Sequence, residues 1–527
     1  MSHLFKHKLF ILGAWVFFLV AILQPAVAGS DTLPPALLLP RAMELEKSHN
    51  LWWRTGNAAA IAFSPLPGQG VAGARFDRSG GSFCRPQQPD SERHLRFYTE
   101  KFTELENLNV WGHFSYDQNR DLGAHWADVF FPYNGNPYVF SGDRGGDWDK
   151  KFFHLSARVS SREQMGFLTY GAAIDYFVGS GARQNDPRPL NRLKQLSFSP
   201  SFVFSLPGNT ALGLVLNYTD FREDVSIRIR NRDDNFLYFK LLGLGEHHTA
   251  SMTSHARFYE GHTLGASVQV NRRTGGAEWI GSAGIAFREE IVVDGGVSGQ
   301  SGGDFEQMTA TLFSGLKWTG RNVRHMAGLS MEFGQAWGTE HLQAYNPHEF
   351  IWETIFSMLR VEQMSIGTEA MYSIRSMGEG RSEWSVVAGI SHRHHDQQYL
   401  SPLSEMAYSR LGFSLDLRRS RLLNGNNSLG GRISLKGGGS PRAELSLHPY
   451  LEETGRNIVS SEVTMPDFDY LTSSWAGLEA GVHYGFFFGH RDRLGAFVKL
   501  SGLYITPLND GFEGSRSGFS MGIGLNY

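Results

Sequence analysis

Large apolar and small or polar residues alternate along much of this chain, most clearly over Ser517–Tyr527, its final segment. There every second side chain is large and apolar, and glycine, serine or asparagine occupies the positions between. Successive side chains of a β-strand point to opposite faces, so the pattern predicts a strand with one apolar face and one small, polar face. The apolar face comprises Phe519, Met521, Ile523, Leu525 and Tyr527.

The same alternation recurs in both halves of the chain, for example over Leu196–Phe204, Trp384–Ile390 and Ala476–Phe488. The polar faces carry arginine, lysine, glutamate and aspartate among glycine and serine. A barrel that crosses a membrane has such strands, with apolar side chains toward lipid and polar side chains toward the lumen. We therefore predict an all-β fold, a transmembrane antiparallel up-and-down β-barrel, in preference to a soluble sandwich of two sheets.

The segments between the predicted strands differ in length in a regular way. Short links, such as Leu105–Asn107 and Glu260–His262, alternate with longer polar stretches, such as Gly179–Arg192 and Gln335–Arg360. This alternation is typical of barrels with short periplasmic turns and long extracellular loops. We count strands backwards from Tyr527 and require successive strands to run in opposite directions. This count predicts about 18 strands, within a range of roughly 14 to 20.

The first 28 residues have the composition of a secretory signal peptide. Lys6 and Lys8 precede an apolar core, Leu9–Leu23, which is short for a membrane-spanning helix. Ala26–Ala28 then supplies a small-residue cleavage site. We expect an exported protein whose mature chain begins after this segment.

Residues 29–68 form a predicted periplasmic N-terminal segment, and residues 69–527 form the predicted barrel. Within this segment, Gly56–Ser64 is small and apolar. It either plugs the lumen or makes a short first strand, and the sequence leaves both interpretations open.

Composition excludes several classes of function. The 527 residues carry a formal net charge of −3, whereas a nucleic-acid partner requires a basic surface. A single cysteine, Cys84, excludes an internal disulfide framework and a cysteine-based metal cluster. Strand alternation places His392 and His394 on one face and His395 on the other, which separates the best candidate ligands. We predict no metal, no cofactor and no nucleic-acid partner.

Charged residues on the predicted inner faces are candidates to line the lumen. They suit either a water-filled passage for a solute or a set of ion pairs that fills the barrel. The candidates are Arg324, Glu332, Glu383, Arg393, Arg410, Asp416 and Lys499.

The first long loop combines aromatic, amide and acidic side chains. Such a set suits a sugar or another surface ligand, and it equally suits a loop that packs on itself. The spacing of its acidic residues does not match a calcium-binding EF-hand loop. The ligand candidates are Trp126, Tyr133, Asn134, Tyr138, Asp143, Asp147, Trp148 and Asp149.

The sequence contains no convincing catalytic motif, neither a G-x-S-x-G elbow in a plausible setting nor a phosphate-binding Walker loop. We therefore expect a channel or transporter for an unidentified solute and not an enzyme. Two alternatives stay open: a non-transporting surface-binding or scaffold barrel, and a membrane-embedded hydrolase whose serine and histidine lie on separate strands.

The chain resembles the outer-membrane β-barrel proteins of unknown function found in Bacteroidetes. The resemblance rests on Leu51–Trp53, Gly56–Ala59, Asp186–Pro189 and the closing strand. The Gly56–Ala59 step is also similar to the Asn-Pro-Ala step of fatty-acid-transporter barrels, with alanine in place of proline. The resemblance implies a bacterial outer-membrane location with lipid and lipopolysaccharide around the wall. It also implies that the barrel-insertion machinery recognises the last strand, which ends at Tyr527.

Overall fold

The alternating segments form one antiparallel sheet that closes into a barrel. The computed structural model describes residues 42–63, 70–231, 236–251, 254–295, 299–377, 382–423, 427–452, 457–488, 494–509, 512 and 514–527. The predicted signal peptide, residues 1–28, lies outside the described residues. Within the described chain the sheet has 18 strands, which confirms both the predicted fold class and the predicted strand number.

The barrel strands, numbered with three shorter ones in chain order, are β1 (Gly70–Gly81), β2 (Ser91–Glu104), β3 (Leu108–Ala124), β5 (Gly146–Ser161), β6 (Leu168–Arg183), β7 (Arg188–Leu206), β8 (Thr210–Arg228), β11 (Ser254–Thr274), β12 (Ala277–Asp294), β13 (Gln300–Thr319), β14 (Val323–Asn346), β15 (Ile351–Ser376), β16 (Ser382–Leu400), β17 (Leu403–Leu422), β18 (Asn427–Ser446), β19 (Trp475–Phe487), β20 (Gly495–Pro507) and β21 (Arg516–Asn526). A separate small sheet contains β4 (Phe140–Gly142), β9 (Leu237–Gly243) and β10 (Glu246–Ser251).

The first and last strands close the ring. Strand β1 pairs antiparallel with β2 on one side and with β21 on the other. The backbone of Gly70 and that of Tyr527 exchange two hydrogen bonds, of 2.7 and 2.9 Å. No edge is left between these two strands, so the barrel avoids the exposed edge of an open sheet.

The apolar faces of the strands point outward. Ile390 is 66% exposed and Phe413 is 58% exposed, and similar side chains of neighbouring strands surround them. Soluble monomers rarely expose continuous apolar patches larger than a few hundred square ångströms. The wall therefore faces lipid, as the alternation predicts. No helix among the described residues is long and apolar enough to span a membrane.

Several predicted connections were wrong because the strands extend beyond the apolar belt. Glu260–His262 lies inside β11, and Gly179–Arg192 contains the ends of β6 and β7 with only residues 184–187 between them. Gln335–Arg360 is mostly the hairpin of β14 and β15. In these extensions the regular alternation of apolar and polar residues stops, while the backbone pairing continues. The long connections at this rim are residues 125–145, 229–253 and 447–474, which in part carry short strands and helices.

Short helices occupy the N-terminal segment and the last long loop. The N-terminal segment contains α1 (Ala42–His49) and the 3-10 helices Trp53–Thr55 and Ala58–Phe63. The last loop contains α2 (Pro449–Glu452), a π-helical turn (Ser460–Thr464) and α3 (Met465–Thr472). Residues 58–63 are thus a helical turn and not the short first strand that the sequence left open.

Candidate functional site

The N-terminal segment, residues 42–63, is bonded to the inner wall near the short-turn end of the barrel. The Asn57 side-chain amide donates to the carbonyl of Phe202 at 3.2 Å and to the side-chain oxygen of Gln269 at 3.0 Å. The backbone N–H of Ala59 donates to the Ser201 hydroxyl, and the Ser160 hydroxyl donates to the carbonyl of Ala59. These contacts reach strands β5, β7 and β11, so the segment crosses part of the lumen.

Apolar packing adds to these hydrogen bonds. Leu51 and Trp52 are almost fully buried, in a cluster with Ile280 of β12 and Met326 of β14. On another part of the wall, the His49 ring lies 2.9 Å from the Ser373 hydroxyl of β15. The segment therefore contacts strands from many positions around the ring, and we call it the inner closure.

The long loops form an apolar cluster at the opposite end, which we call the outer closure. Its members come from all three long loops and from the inner faces of the wall. Representative buried members are Trp126, Tyr138, Phe140, Tyr238, Leu451 and Leu471.

Hydrogen bonds fix the first long loop within this closure. The Tyr138 carbonyl accepts from Tyr259 at 3.1 Å and from Arg257 at 3.3 Å. The Trp126 indole donates to Glu462 of the last loop at 3.1 Å. The carboxylate of Asp128 lies 3.0 Å from Arg183, and burial raises the pKa of Asp128 while Arg183 opposes this shift.

A cavity of about 760 Å³ lies in the lumen between the two closures. Along β17, Tyr408 packs in the outer closure and Arg410, two residues further on, lines the cavity. At the other side, Arg54 and Thr55 of the inner closure form part of the cavity wall. Neutral hydroxyl groups contribute much of the remaining polar lining, from Ser267, Ser282, Thr311, Ser330 and Ser391.

Three of the predicted lumen residues share this cavity: Glu332, Arg393 and Arg410. Sequence reasoning missed Arg54 and Glu369, which also line it. Arg54 lies outside the strands, so alternation gave no signal for it. Glu369 stands on β15, where the polar face was difficult to recognise from the sequence.

The other predicted lumen residues lie away from the cavity. Asp416 bonds to Arg418 and Arg432, and Glu383 pairs with Arg375. The Lys499 ammonium lies 4.6 Å from the centre of the Phe497 ring. Arg324 is placed opposite Arg375 in the register of β14 and β15.

The predicted ligand residues of the first loop do not gather at one site. Trp126 and Tyr138 are buried in the outer closure, and Trp148 is buried on β5. The Asn134 carbonyl accepts from Arg288 at 3.0 Å, and Asp147 accepts from the backbone of Gly123. Asp149 is exposed on β5, and one side-chain oxygen of Asp143 is buried with no hydrogen-bond partner among the described residues.

Tyr133 lines a smaller pocket of about 280 Å³ within the outer closure. The guanidinium of Arg85 stacks 3.4 Å from the centre of its ring and makes two hydrogen bonds of 2.6 Å to Asp467. Burial raises the pKa of the Tyr133 hydroxyl, and the carboxylate of Asp467 adds to this shift. Gln363, His395 and Gln397 line the same pocket.

A serine, a histidine and an aspartate from adjacent strands form a hydrogen-bonded row near the long-loop end. The Ser357 hydroxyl lies 2.8 Å from Nδ1 of His341, and Nε2 of His341 lies 2.9 Å from Asp304. The next residue, Phe305, is buried toward the lumen, so Asp304 points to the outer surface. No sequence motif marks these three residues, since only the strand register brings them together.

Comparisons with known proteins give a family and distant structural similarities. The model of a family described as "Family of unknown function (DUF6850)" matches residues 58–527. No curated protein matches the chain. The chain is similar to the copper transporter OprC with a TM-score of 0.40 and 10% identity, over 88% of this chain and 81% of that one. It is also similar to the outer membrane transporter YddB from Escherichia coli, with a TM-score of 0.38 and 7% identity over 86% and 80% of the two chains.

Proposed function

The chain belongs to this DUF6850 family of unknown function, and from that premise we propose that it is an integral outer-membrane channel or transporter for a polar solute, closed at rest. The lipid-facing belt supports a membrane location. We propose that this membrane is the outer membrane of a Gram-negative bacterium. The resemblance of the sequence to outer-membrane barrels of Bacteroidetes supports this location. Lipid and lipopolysaccharide would surround the wall there.

The observation that carries this proposal is the polar cavity between the two closures. A barrel that serves only as a scaffold gains nothing from an unfilled polar space in its lumen, because packed side chains would stabilise it better. About 760 Å³ is in the range of pockets that hold small molecules. We propose that a solute occupies this cavity during passage.

The inner closure suits the role of a gate. Its polar contacts with β7 and β11 are hydrogen bonds to side chains and to one carbonyl, and water can replace these at little net cost. Movement of the segment would open the cavity toward the short-turn end. The covalent link to β1 would keep the segment at the barrel.

Conductance of the purified full-length mature protein in planar bilayers tests the proposal. We expect rare openings in the unaltered protein and more frequent openings in an Asn57→Ala/Ser201→Ala variant, because both substitutions remove bonds that hold the inner closure. Asn217→Ala is the matched control, since Asn217 donates to Ser199 within the wall. Absence of conductance in every variant would reject the channel proposal.

A second candidate function, ester hydrolysis at the outer surface, is favoured by the Ser357–His341–Asp304 row. A nucleophile within hydrogen-bond reach of a base, itself oriented by a third group, is the arrangement that acyl transfer uses. Nδ1 of His341 would accept the hydroxyl proton of Ser357 while the Ser357 Oγ attacks an ester carbonyl. The Nε2–H group of His341 would donate a hydrogen bond to Asp304 and so keep the ring in place. The imidazolium would then protonate the departing alcohol, and water would release the acyl group from Ser357.

Labelling with a fluorophosphonate probe tests this second function. We expect labelling of the unaltered protein and loss of labelling in Ser357→Ala. Ser409→Ala is the control, because the Ser409 hydroxyl lies 3.0 Å from Nδ1 of His394 in another serine–histidine pair. Equal labelling of the protein and of Ser357→Ala, or no labelling at all, would rule out a reactive Ser357.

A further inference from the structure

Two arginines that have no ionic partner among the described residues lie side by side on adjacent strands in the wall of the central cavity. Arg393 of β16 and Arg410 of β17 are direct neighbours in the strand register, and both line the cavity. Like charges directly opposite each other destabilise a sheet. The arrangement therefore has a cost that a bound negative charge would offset.

Neither guanidinium makes a hydrogen bond or an ion pair with any residue in the part of the chain that the structure describes. Other arginines of the inner wall are paired: Arg432 with Asp416 and Glu479, and Arg257 with Asp294. Pairing with carboxylates is thus available in this lumen. The two cavity arginines keep their donors directed at the cavity.

The wall beside these arginines leaves room for a ligand. Gly367 lies opposite Arg393 in the register of β15 and β16, and a side chain added at Gly367 would meet its nearest neighbour only at 3.8 Å. Gly412 and Gly438 also line the cavity. Bare backbone at Gly367 therefore leaves open space beside Arg393.

A β-bulge of β18 lies opposite Arg410. The pairing of β17 with β18 shifts between Ser409 and Leu411, so Arg410 has no partner on β18. Bulges break the regular pleat and redirect side chains, and they are frequent at functional sites. In this barrel the extra residue is on β18, where Ser440 and Pro441 stand opposite Arg410 alone.

The charges around the cavity favour an anion. Arg54, Arg393 and Arg410 line it together with the carboxylates of Glu332 and Glu369. Three positive groups against two negative groups leave one net positive charge. Glu332 stands on β14, two strands away from Arg393, with Gly367 of β15 between them in register.

We propose that Arg393 and Arg410 form the binding site for an oxyanion group (carboxylate, sulfate or phosphate) carried by the solute. Arginine is suited to this role because its planar guanidinium forms two parallel hydrogen bonds with an oxyanion. The hydroxyl groups of Ser330 and Ser391 provide neutral contacts for the rest of the solute. This inference rests on the proposed channel function and specifies the chemical class of its solute.

Equilibrium dialysis of the detergent-solubilised full-length mature protein tests the site. The probes are inorganic sulfate, inorganic phosphate and glucuronate, with glucose as the neutral probe, so free inorganic anions and an organic acid are distinguished. We expect at least one oxyanion to bind, and to bind at least about tenfold more weakly to Arg393→Gln/Arg410→Gln, because charge-assisted hydrogen bonds are lost. Glucose should not distinguish the two proteins.

The matched control is Arg192→Gln/Lys194→Gln, which removes two exposed positive charges of β7, away from the cavity. Its oxyanion binding should equal that of the unaltered protein. The single variant Arg393→Gln should unfold at the same or a higher temperature without anion, since it relieves the repulsion between the arginines. A purely structural role for Arg393 predicts the opposite, a lower unfolding temperature.

The dialysis separates this inference from the channel proposal. No binding of any oxyanion, or equal binding by the double variant, would overturn the site even where the barrel conducts. Binding that depends on both arginines would support the site even where no variant conducts. Heat-modifiable migration on a gel verifies that each variant contains a folded barrel. If the double variant does not fold, the single variant Arg410→Gln is used in its place.

Discussion

At the scale of single residues, the lumen is organised by carboxylates that each serve more than one cation. Asp416 bonds to Arg418 of its own strand and to Arg432 of β18. Arg432 continues to Glu479 at 3.1 Å, and Arg418 lies 3.7 Å from Glu44 of the inner closure. One carboxylate therefore connects β17 and β18 and, through Arg418, the N-terminal segment.

Replacing Asp416 by alanine should reduce the stability of the barrel. Removal of one member of a largely buried charge network leaves its partners uncompensated, so we expect the free energy of unfolding to fall by about 3 kcal/mol. Urea unfolding of the refolded barrel, followed by tryptophan fluorescence, measures the change. Glu444→Ala is the control, because Glu444 pairs with Arg442 in an exposed position and exposed pairs contribute little. Equal losses in both variants would contradict this account of the network.

At the scale of elements, the closing strand matters because it completes the ring and ends on an aromatic residue. The Tyr527 ring packs over Gly70, where an added side chain would meet it at 2.7 Å. Its hydroxyl lies 3.3 Å from that of Thr99, and the Lys101 ammonium lies 5.3 Å from the ring centre. Tyr527 therefore fastens β21 to both β1 and β2. We propose that the same strand end is what the insertion machinery binds.

Tyr527→Ala should lower the yield of assembled barrel in cells, because it removes the aromatic contact at the closing seam and the proposed recognition group. Tyr527→Phe keeps the ring and should assemble nearly as well as the unaltered protein. The fraction of heat-modifiable protein in the membrane measures assembly. Normal assembly of Tyr527→Ala would show that the terminal aromatic residue has no special role in barrel assembly.

Also at this scale, β14 and β15 differ from their neighbours in length. The pairing of β13 with β14 ends at Thr339, and the pairing of β15 with β16 ends at Val361. The residues between them form a two-stranded ribbon beyond the rest of the wall, with bulges after Gly338 and Leu342. Ser357 and His341 lie on this ribbon, opposite each other in its register.

At the scale of the whole molecule, the two closures differ in chemistry. The outer closure is a large apolar cluster with buried hydrogen bonds, whereas the inner closure combines a small apolar cluster with polar contacts to the wall. Opening the outer closure would expose more apolar surface to water and would therefore cost more free energy. We infer that the inner closure opens more readily, and the conductance of the Asn57→Ala/Ser201→Ala variant tests that inference.

The sequence by itself determined that the chain is a barrel and which side chains face lipid. This information is local, since a strand alternates its faces every residue and lipid tolerates only apolar groups. The terminal strand, a count of about 18 strands and the inward faces predicted for Arg393 and Arg410 all follow from it. The ends of β6, β7, β14 and β15 did not follow, because there the regular alternation of apolar and polar residues stops while the backbone pairing continues.

Only the tertiary structure decided which polar residues meet. The opposition of Arg393 and Arg410, the bulge at Arg410 and the Ser357–His341–Asp304 row depend on the register between strands. The position of residues 42–63 in the lumen depends on contacts with residues more than a hundred positions away, such as Ser201 and Gln269. Alternation fixes the face of the strand on which each residue lies, but it does not fix the height of the residue in the barrel. The pairing of the strands in the closed ring sets that height, and the height determines which residues line the cavity.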